Sequence, residues 1–332
     1  MTEAGVEIYD PEGIVLKSPE NIDYSDTLFI VTGGGSSPLG KEMTDEFKMH
    51  GGEVLVTTSN VDKMNPDNGI FPLDYNSDDL EHQISFLLNA VRKSDRENIV
   101  LVHNAAAGAT EPITTLITGL KGLKRKYKNE LVPNDEYTKL LDEVQLAVDG
   151  ESDIARMVNF EGPRRLTEMI LEDDEIGHKV SDVIFLSSLP STFPEEFFLP
   201  FYPAVSQTKH EFEVYLRENA QSWRESGINT AIVSASIIVD TFVGGILTRI
   251  LPRLLPVDTK VELDEKQLPT KADVLKAVNI AVCGEVPERN GLRSLFVLSS
   301  EDDGVVSALD RSNLGFQEAV KALKLANSIQ VS

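Results

Sequence analysis

Residues 31–42 read VTGGGSSPLGKE. Just before them stands TLFIVT (27–32), a short apolar run rich in β-branched residues, and after them Leu39, Met43 and Phe47 recur at helical spacing until Gly51 and Gly52. A buried strand that runs into glycines and continues as a helix is the local context of a phosphate-binding turn. Glycines let backbone N–H groups come close to a pyrophosphate, and the helix N-terminus adds partial positive charge. A turn that only reversed the chain would need one or two glycines; three, followed by Ser36 and Ser37, point to a bound nucleotide.

Outward from this turn the pattern repeats. EVLVTTS (53–59) reads as a second strand, GIFPLD (69–74) as a third, LEHQISFLLNAV (80–91) as a helix and NIVLVHNAAAG (98–108) as a fourth strand entering small residues. ARMVNFEGPRRLTEMIL (155–171), VSDVIFLSS (180–188), TKHEFEVYLRENAQSWRES (208–226) and INTAIVSASIIV (228–239) continue the helix and strand alternation, and SLFVLSS (294–300) with LGFQEAVKALKLANSI (314–329) closes it. Such alternation implies right-handed βαβ units. The expected fold is α/β: a doubly wound parallel sheet, Rossmann-type, three-layer α/β/α, in a single domain. Residues 1–26 read as an N-terminal extension and 27–332 as the domain. It carries a charged insertion at about 117–150, poorly periodic in its middle and expected to protrude, and a substrate-loop region at about 242–268.

Composition narrows the function. Lys plus Arg number 31 against 54 Asp plus Glu, a formal charge of −23, which repels phosphate backbones and excludes nucleic acid as the main partner. No stretch of about 18 apolar residues exists, so no membrane span is expected. The start MTEAGVEIYDPEG has neither a basic region nor an apolar core, and Cys283 is the single cysteine; a cytoplasmic, reducing compartment fits both. His50, His82, His103, His178 and His210 show no metal-ligand spacing, so no metal site is expected.

The turn resembles that of the short-chain dehydrogenase/reductase superfamily, and most closely the ketoreductase domain of type I fatty acid synthases. That domain's T-G-A-S-x-G-S-I-G lays onto Thr32–Gly40 without a gap. The resemblance spans roughly residues 27–245. It implies a nicotinamide cofactor held by Gly33, Gly35, Ser36, Ser37, Leu39 and Gly40, with Thr58 and Ser59 at the end of the second strand, Asp74 at the adenine edge and Asn104, Ala105 and Ala106 lining the cleft. Lys209 would hold the nicotinamide ribose, and the Ile238 N–H its carboxamide in place of the family's P-G-x-x-x-T. An NAD-selective site ends the second strand in a carboxylate. Here Thr57, Thr58, Ser59 and Asn60 carry none, which favours NADPH over NADH, with Lys41 or Lys63 supplying the charge.

For the reacting groups the resemblance implies a tyrosine proton donor, a lysine that favours its ionised form, a serine on the substrate oxygen and an asparagine that positions a lysine-bound water. Asn159, Ser188 (or its neighbour Ser187) and Lys209 occupy three of these places. The usual Tyr-x3-Lys spacing would put Val205 in the fourth, whereas Tyr202 gives Tyr-x6-Lys, as in enoyl-thioester reductases. Seven helical steps return to within about 20° of the starting face, with a rise of about 10.5 Å. Pro203 at the first helical position would hold Tyr202 at the cap. Val243, Ile246, Leu247, Ile250, Leu251, Leu254 and Leu255 offer an apolar wall suited to an acyl chain, or else core packing.

The expected activity is NADPH-dependent reduction of a small hydrophobic carbonyl or acyl-thioester substrate, a 3-oxoacyl thioester among them. The alternatives are an enoyl-thioester reductase and a catalytically silent nucleotide-binding scaffold. By analogy the chain is expected to form a homodimer or homotetramer through the helices around Asn159 and Lys209.

Overall fold

Apolar runs of β-branched residues form the centre of the molecule because they are covered on both faces. In chain order the strands are β1 (Thr27–Val31), β2 (Glu53–Thr58), β3 (Ile70–Pro72), β4 (Asn98–His103), β5 (Val180–Ser188), β6 (Asn229–Ala235), β7 (Glu288–Arg289), β8 (Leu292–Val297) and β9 (Val305–Val306). They form one sheet in the order β3-β2-β1-β4-β5-β6-β8-β7, with β9 pairing β8. β1 to β6 and β8 are parallel, while β7 and β9 add antiparallel edges to β8. The computed structural model describes residues 16, 17, 19, 21–35, 37–128, 132–194, 199–254, 263–284, 286–298, 305–307 and 314–327.

The helices are α1 (Pro38–Met49), α2 (Leu80–Val91), α3 (Thr110–Tyr127), α4 (Asn134–Arg156), α5 (Gly162–Leu171), α6 (Leu189–Thr192), α7 (Pro203–Glu225), α8 (Phe242–Gly245), α9 (Leu251–Leu254), α10 (Lys271–Cys283) and α11 (Leu314–Asn327). α1 and α10 bury Met43, Phe47, Val274 and Val278 against one face of the sheet. α2, α5 and α7 bury Leu87, Ile170 and Phe212 against the other. A third apolar cluster lies beyond the carboxyl ends of the strands, where α3, α4, α11 and residues 242–251 meet. The fold is thus the expected Rossmann-type α/β/α arrangement with an additional cap.

Several boundaries differ from the sequence reading. The sixth strand ends at Ala235: Ser236 donates its N–H to Val297 O, Val239 donates to Pro269 O, and Ile237 and Val239 turn into the cap cluster. The charged segment is helical on both sides of residues 129–131, which lie outside the described residues. α3 and α4 share a cluster through Leu116, Leu120, Tyr137, Leu140 and Val144, so its apolar positions were obscured by charged neighbours rather than missing. α10 was not read at all because its buried face is built partly from Ala277 and Ala281. The Thr270–Asp273 capping box at its start was the usable signal. Among the described residues no helix is long and apolar enough to cross a membrane.

Candidate active site

The strand order reverses between β1 and β4, and in open α/β sheets a ligand crevice opens outside the carboxyl ends at that point. The glycine turn after β1 and the segment Asn104–Ala107 after β4 meet there. Thr32 Oγ1 accepts from the N–H groups of Asn104 (3.0 Å) and Ala105 (3.1 Å), and the Asn104 amide donates to Thr32 O (3.1 Å) and Ser37 Oγ (3.2 Å). Gly33 has φ +68°, and a Cβ on it would lie 3.0 Å from Ala105 Cα, so the turn requires glycine for both conformation and space. Its N–H is fixed by Thr57 Oγ1 at 3.1 Å. Ser37 caps α1, accepting from Gly40 N–H at 2.9 Å.

Around this turn is a cleft of about 880 Å³. Gly33, Ser37, Leu39, Ser59, Asp74, Asn104, Ala105 and Ala106 all line it, together with Thr57, Tyr75 and Lys271. The volume and the lining fit a dinucleotide: a glycine cradle, the N-terminus of α1, neutral hydroxyls at the end of β2 and a carboxylate at the end of β3. Other expected residues fall elsewhere. Gly40 is buried with its Cβ position 2.5 Å from Gly34 Cα, so it serves close packing within the turn. Thr58 alternates away from Thr57 and Ser59 and accepts from Asn60 N–H at 3.1 Å. Gly35 borders a separate groove. Ser36 lies outside the described residues, as does Leu255.

That separate groove, about 490 Å³, adjoins the cleft through Ser37 and Pro38. It is lined by Lys41, Lys48 and Lys63 over a floor of Val54, Val56 and Ile70, with no acidic side chain among the described residues that line it. Lys41 pairs with Asp45, whereas Lys48 and Lys63 make no ion pair among the described residues.

At the other end, Thr241 and Val243 border both the cleft and a smaller cavity of about 190 Å³. Ser188, Tyr202, Lys209 and Ile238 converge on it. Ser188 is the last residue of β5 and shares a hydrogen bond with Ser191 Oγ at 2.8 Å. Tyr202 precedes α7, with Pro203 at the first helical position, and its carbonyl accepts from Ser206 N–H at 2.9 Å. Burial pushes the Tyr202 phenol above its ordinary range, against a hydrogen bond with Ser188 that pulls it down. Lys209 Nζ donates to Leu186 O at 2.9 Å and lies 5.6 Å from the Phe185 ring centroid. Burial lowers its pKa to about 8, opposed by the charge of Glu213. Among the described residues the Ile238 N–H makes no hydrogen bond, so it is available to a ligand. Val205 is buried beside Gly108 and has no access to the cavity.

Asn159 is not brought to this cavity. It is fully buried in a π-helical turn (Met157–Glu161) joining α4 to α5. Its Oδ1 accepts from Ala107 N–H (3.1 Å), and its Nδ2 donates to Ala107 O (3.0 Å) and Thr208 Oγ1 (3.1 Å). Both amide hydrogens are committed, so the side chain clamps the cleft-lining segment to α7 and leaves no donor for a lysine-bound water. The apolar wall expected at 242–255 is largely core: Ile246, Leu247 and Leu251 are buried in the cap cluster, and of that set Val243 and Leu247 reach the cavity. Its far side is closed instead by Leu323 of α11, which no sequence motif marks.

Three neighbours of the site were not picked out by sequence reasoning: Thr32 and Thr57, which accept hydrogen bonds from the backbone of the turn and of the segment after β4, and Glu213, buried one helical turn beyond Lys209. Thr32 was visible as the T of the T-G motif, but its role as a double acceptor depends on β1 and β4 being adjacent. Among the described residues no group of histidine, cysteine or carboxylate side chains is arranged to hold a metal.

No family model matches the chain, and no curated protein sequence matches it. Among solved structures, a short-chain dehydrogenase from Mycobacterium smegmatis superposes with a TM-score of 0.53 at 14% identity, over 86% of this chain and 98% of that one. An enoyl-[acyl-carrier-protein] reductase (NADH) from Aquifex aeolicus VF5 superposes with a TM-score of 0.50 at 14% identity, over 78% of this chain and 90% of that one. At that identity the likeness is one of fold, and the chain shares the Rossmann-type α/β/α architecture of both proteins.

Proposed function

We propose that the chain is an atypical short-chain dehydrogenase/reductase that reduces a hydrophobic carbonyl with NADPH. The observation carrying this reading is that Ser188, Tyr202 and Lys209 line one cavity contiguous with a nucleotide-sized cleft. A bound nicotinamide supplies hydride. Gly33, Ser37 and Leu39 would hold the pyrophosphate, Asp74 the adenine edge and the Ile238 N–H the carboxamide. The unpaired Lys48 and Lys63, beyond Ser37, support a 2′-phosphate and hence NADPH.

Tyr202 delivers the proton. Its raised pKa keeps the phenol protonated at neutral pH, as a donor must be; Lys209, which lines the same cavity, would stabilise the phenolate left behind. Ser188 Oγ orients the substrate oxygen. At about 190 Å³ the cavity is smaller than most ligand pockets, so it takes the reacting end of the substrate, as for a 3-oxoacyl thioester of short chain.

A second reading, reduction of an enoyl thioester, is favoured by the seven-residue interval from Tyr202 to Lys209. Comparing turnover of a 3-oxoacyl and a trans-2-enoyl thioester with NADPH separates the two. In either case Tyr202→Phe should cost about 10² to 10⁴ in kcat. Binding of NADPH with no turnover of any carbonyl, and no effect of the substitution, would leave the silent-scaffold reading in place. A cytoplasmic homodimer or homotetramer completes the proposal, tested by sedimentation.

A further inference from the structure

Glu213 has no solvent exposure, and nothing in the proposed reaction calls for a carboxylate there. It lies one helical turn beyond Lys209 on α7. Ser187 Oγ donates to it, as do Thr192 Oγ1 (2.9 Å) and Arg217 (2.9 Å). Thr192 in turn shares a hydrogen bond with Ser234 Oγ of β6 at 2.7 Å. A buried carboxylate is retained only where its charge is compensated and its lone pairs are satisfied. Lys209 shows the complementary deficit: its Nζ is bonded to a neutral carbonyl, and it is the one charged side chain among the described residues lining the cavity.

We propose that Glu213 is a positioning residue for Lys209: held by Ser187, Thr192 and Arg217, its carboxylate keeps the ammonium charged inside the cavity, and Arg217 limits how strongly it does so. The arrangement has few competing charges. The other titratable groups near the pair are Tyr202, just before α7, and on α7 His210, whose Nδ1 is bonded to Ser191 O at 2.9 Å; Glu211 turns outward to Arg156. β5, β6 and α6 contribute hydroxyls and the Leu186 carbonyl, and His103 at the end of β4 is kept neutral by burial. Burial alone drives the lysine toward its neutral form, and Glu213 acts in the opposite sense.

The test measures the Lys209 titration directly, by the ¹³Cε shift of labelled lysine assigned with Lys209→Arg, in the full chain. Glu213→Gln keeps the shape of the side chain and removes the charge; it should move the titration down by about 1 to 3 pH units. Arg217→Gln leaves the carboxylate less compensated and should move it up. A purely structural role predicts no opposed shifts, so movement in the same direction, or none, overturns the proposal. If Glu213→Gln does not fold, Arg217→Gln, on a side chain 26% exposed, decides by itself: an upward shift supports the proposal and any other result overturns it. The role in catalysis rests on the proposed reductase function, where the alkaline limb of kcat/KM should follow the same two shifts. Opposed shifts in a protein that reduces neither thioester would uphold the pairing and overturn the reductase reading instead.

Discussion

Acidification should destabilise this protein through His103, well before the carboxylates titrate. The imidazole is 1% exposed at the end of β4, edge-on to Phe212 with ring centroids 5.2 Å apart. Its Nε2 lies 2.8 Å from Thr167 Oγ1, whose own hydrogen goes to Pro163 O at 2.8 Å. Thr167 must therefore accept, Nε2 carries the proton, and Nδ1 is left as a bare lone pair with no partner. A second proton would sit there uncompensated, and burial lowers the pKa to about 3. The unfolded chain takes up that proton near pH 6.5 and the folded chain does not, so stability is full above about pH 6.5 and is lost as pH falls toward the folded value. The loss from this group is about 1.4 kcal/mol at pH 5.5 and about 2.7 kcal/mol at pH 4.5. Urea unfolding of wild type and His103→Gln, which keeps a donor to Thr167 but does not titrate, isolates the effect from the many carboxylates. The two stability curves should converge by these amounts as pH is lowered. Curves that run parallel from pH 7.5 to 4.5 would refute the reasoning.

Three further outcomes are expected. Asn159→Ala removes both hydrogen bonds to Ala107 and one to Thr208. Ala107 is partly exposed and water repays some of that, so urea unfolding should show a loss of about 2 to 4 kcal/mol. An Asn159 whose main task was to hold water would cost far less. Gly244→Ala places a Cβ 1.8 Å from Ile238 O. It should destabilise by about 1 to 3 kcal/mol or more and weaken binding of the carboxamide end, both readable by urea titration and by cofactor fluorescence. Lys48→Glu with Lys63→Glu should weaken NADPH about 10- to 100-fold while leaving NADH nearly unchanged; equal weakening of both would remove the phosphate assignment.

What the sequence made legible follows from which residues carry local information. The glycine turn, β2, α2 and β5 were readable because each couples an apolar period to a terminating signal within a dozen residues. The proposed reacting groups were partly readable for the same reason: Ser188 ends a strand and Tyr202 precedes a proline. Asn159 shows the limit. Its position in the motif was legible, but whether its amide faces the cavity or clamps Ala107 depends on a π turn that shifts the helix phase by one residue, and no local pattern in MVNFE announces that turn. Glu213 was hidden differently, since a glutamate four residues after a lysine on a helix normally signals a solvated i,i+4 pair. Here β5 and α6 close over that face of α7, turning a routine surface pattern into a buried charge network. The same closing layer explains why Ile246, Leu247 and Leu251 became core: once α11 packs on them, Val243 and Leu247 are what the described residues of that set bring to the cavity, and its lining is completed by Leu323, some seventy residues further along the chain. Local sequence therefore marks the residues proposed to react, while long-range packing sets the surroundings of Lys209 and the size of the cavity it lines.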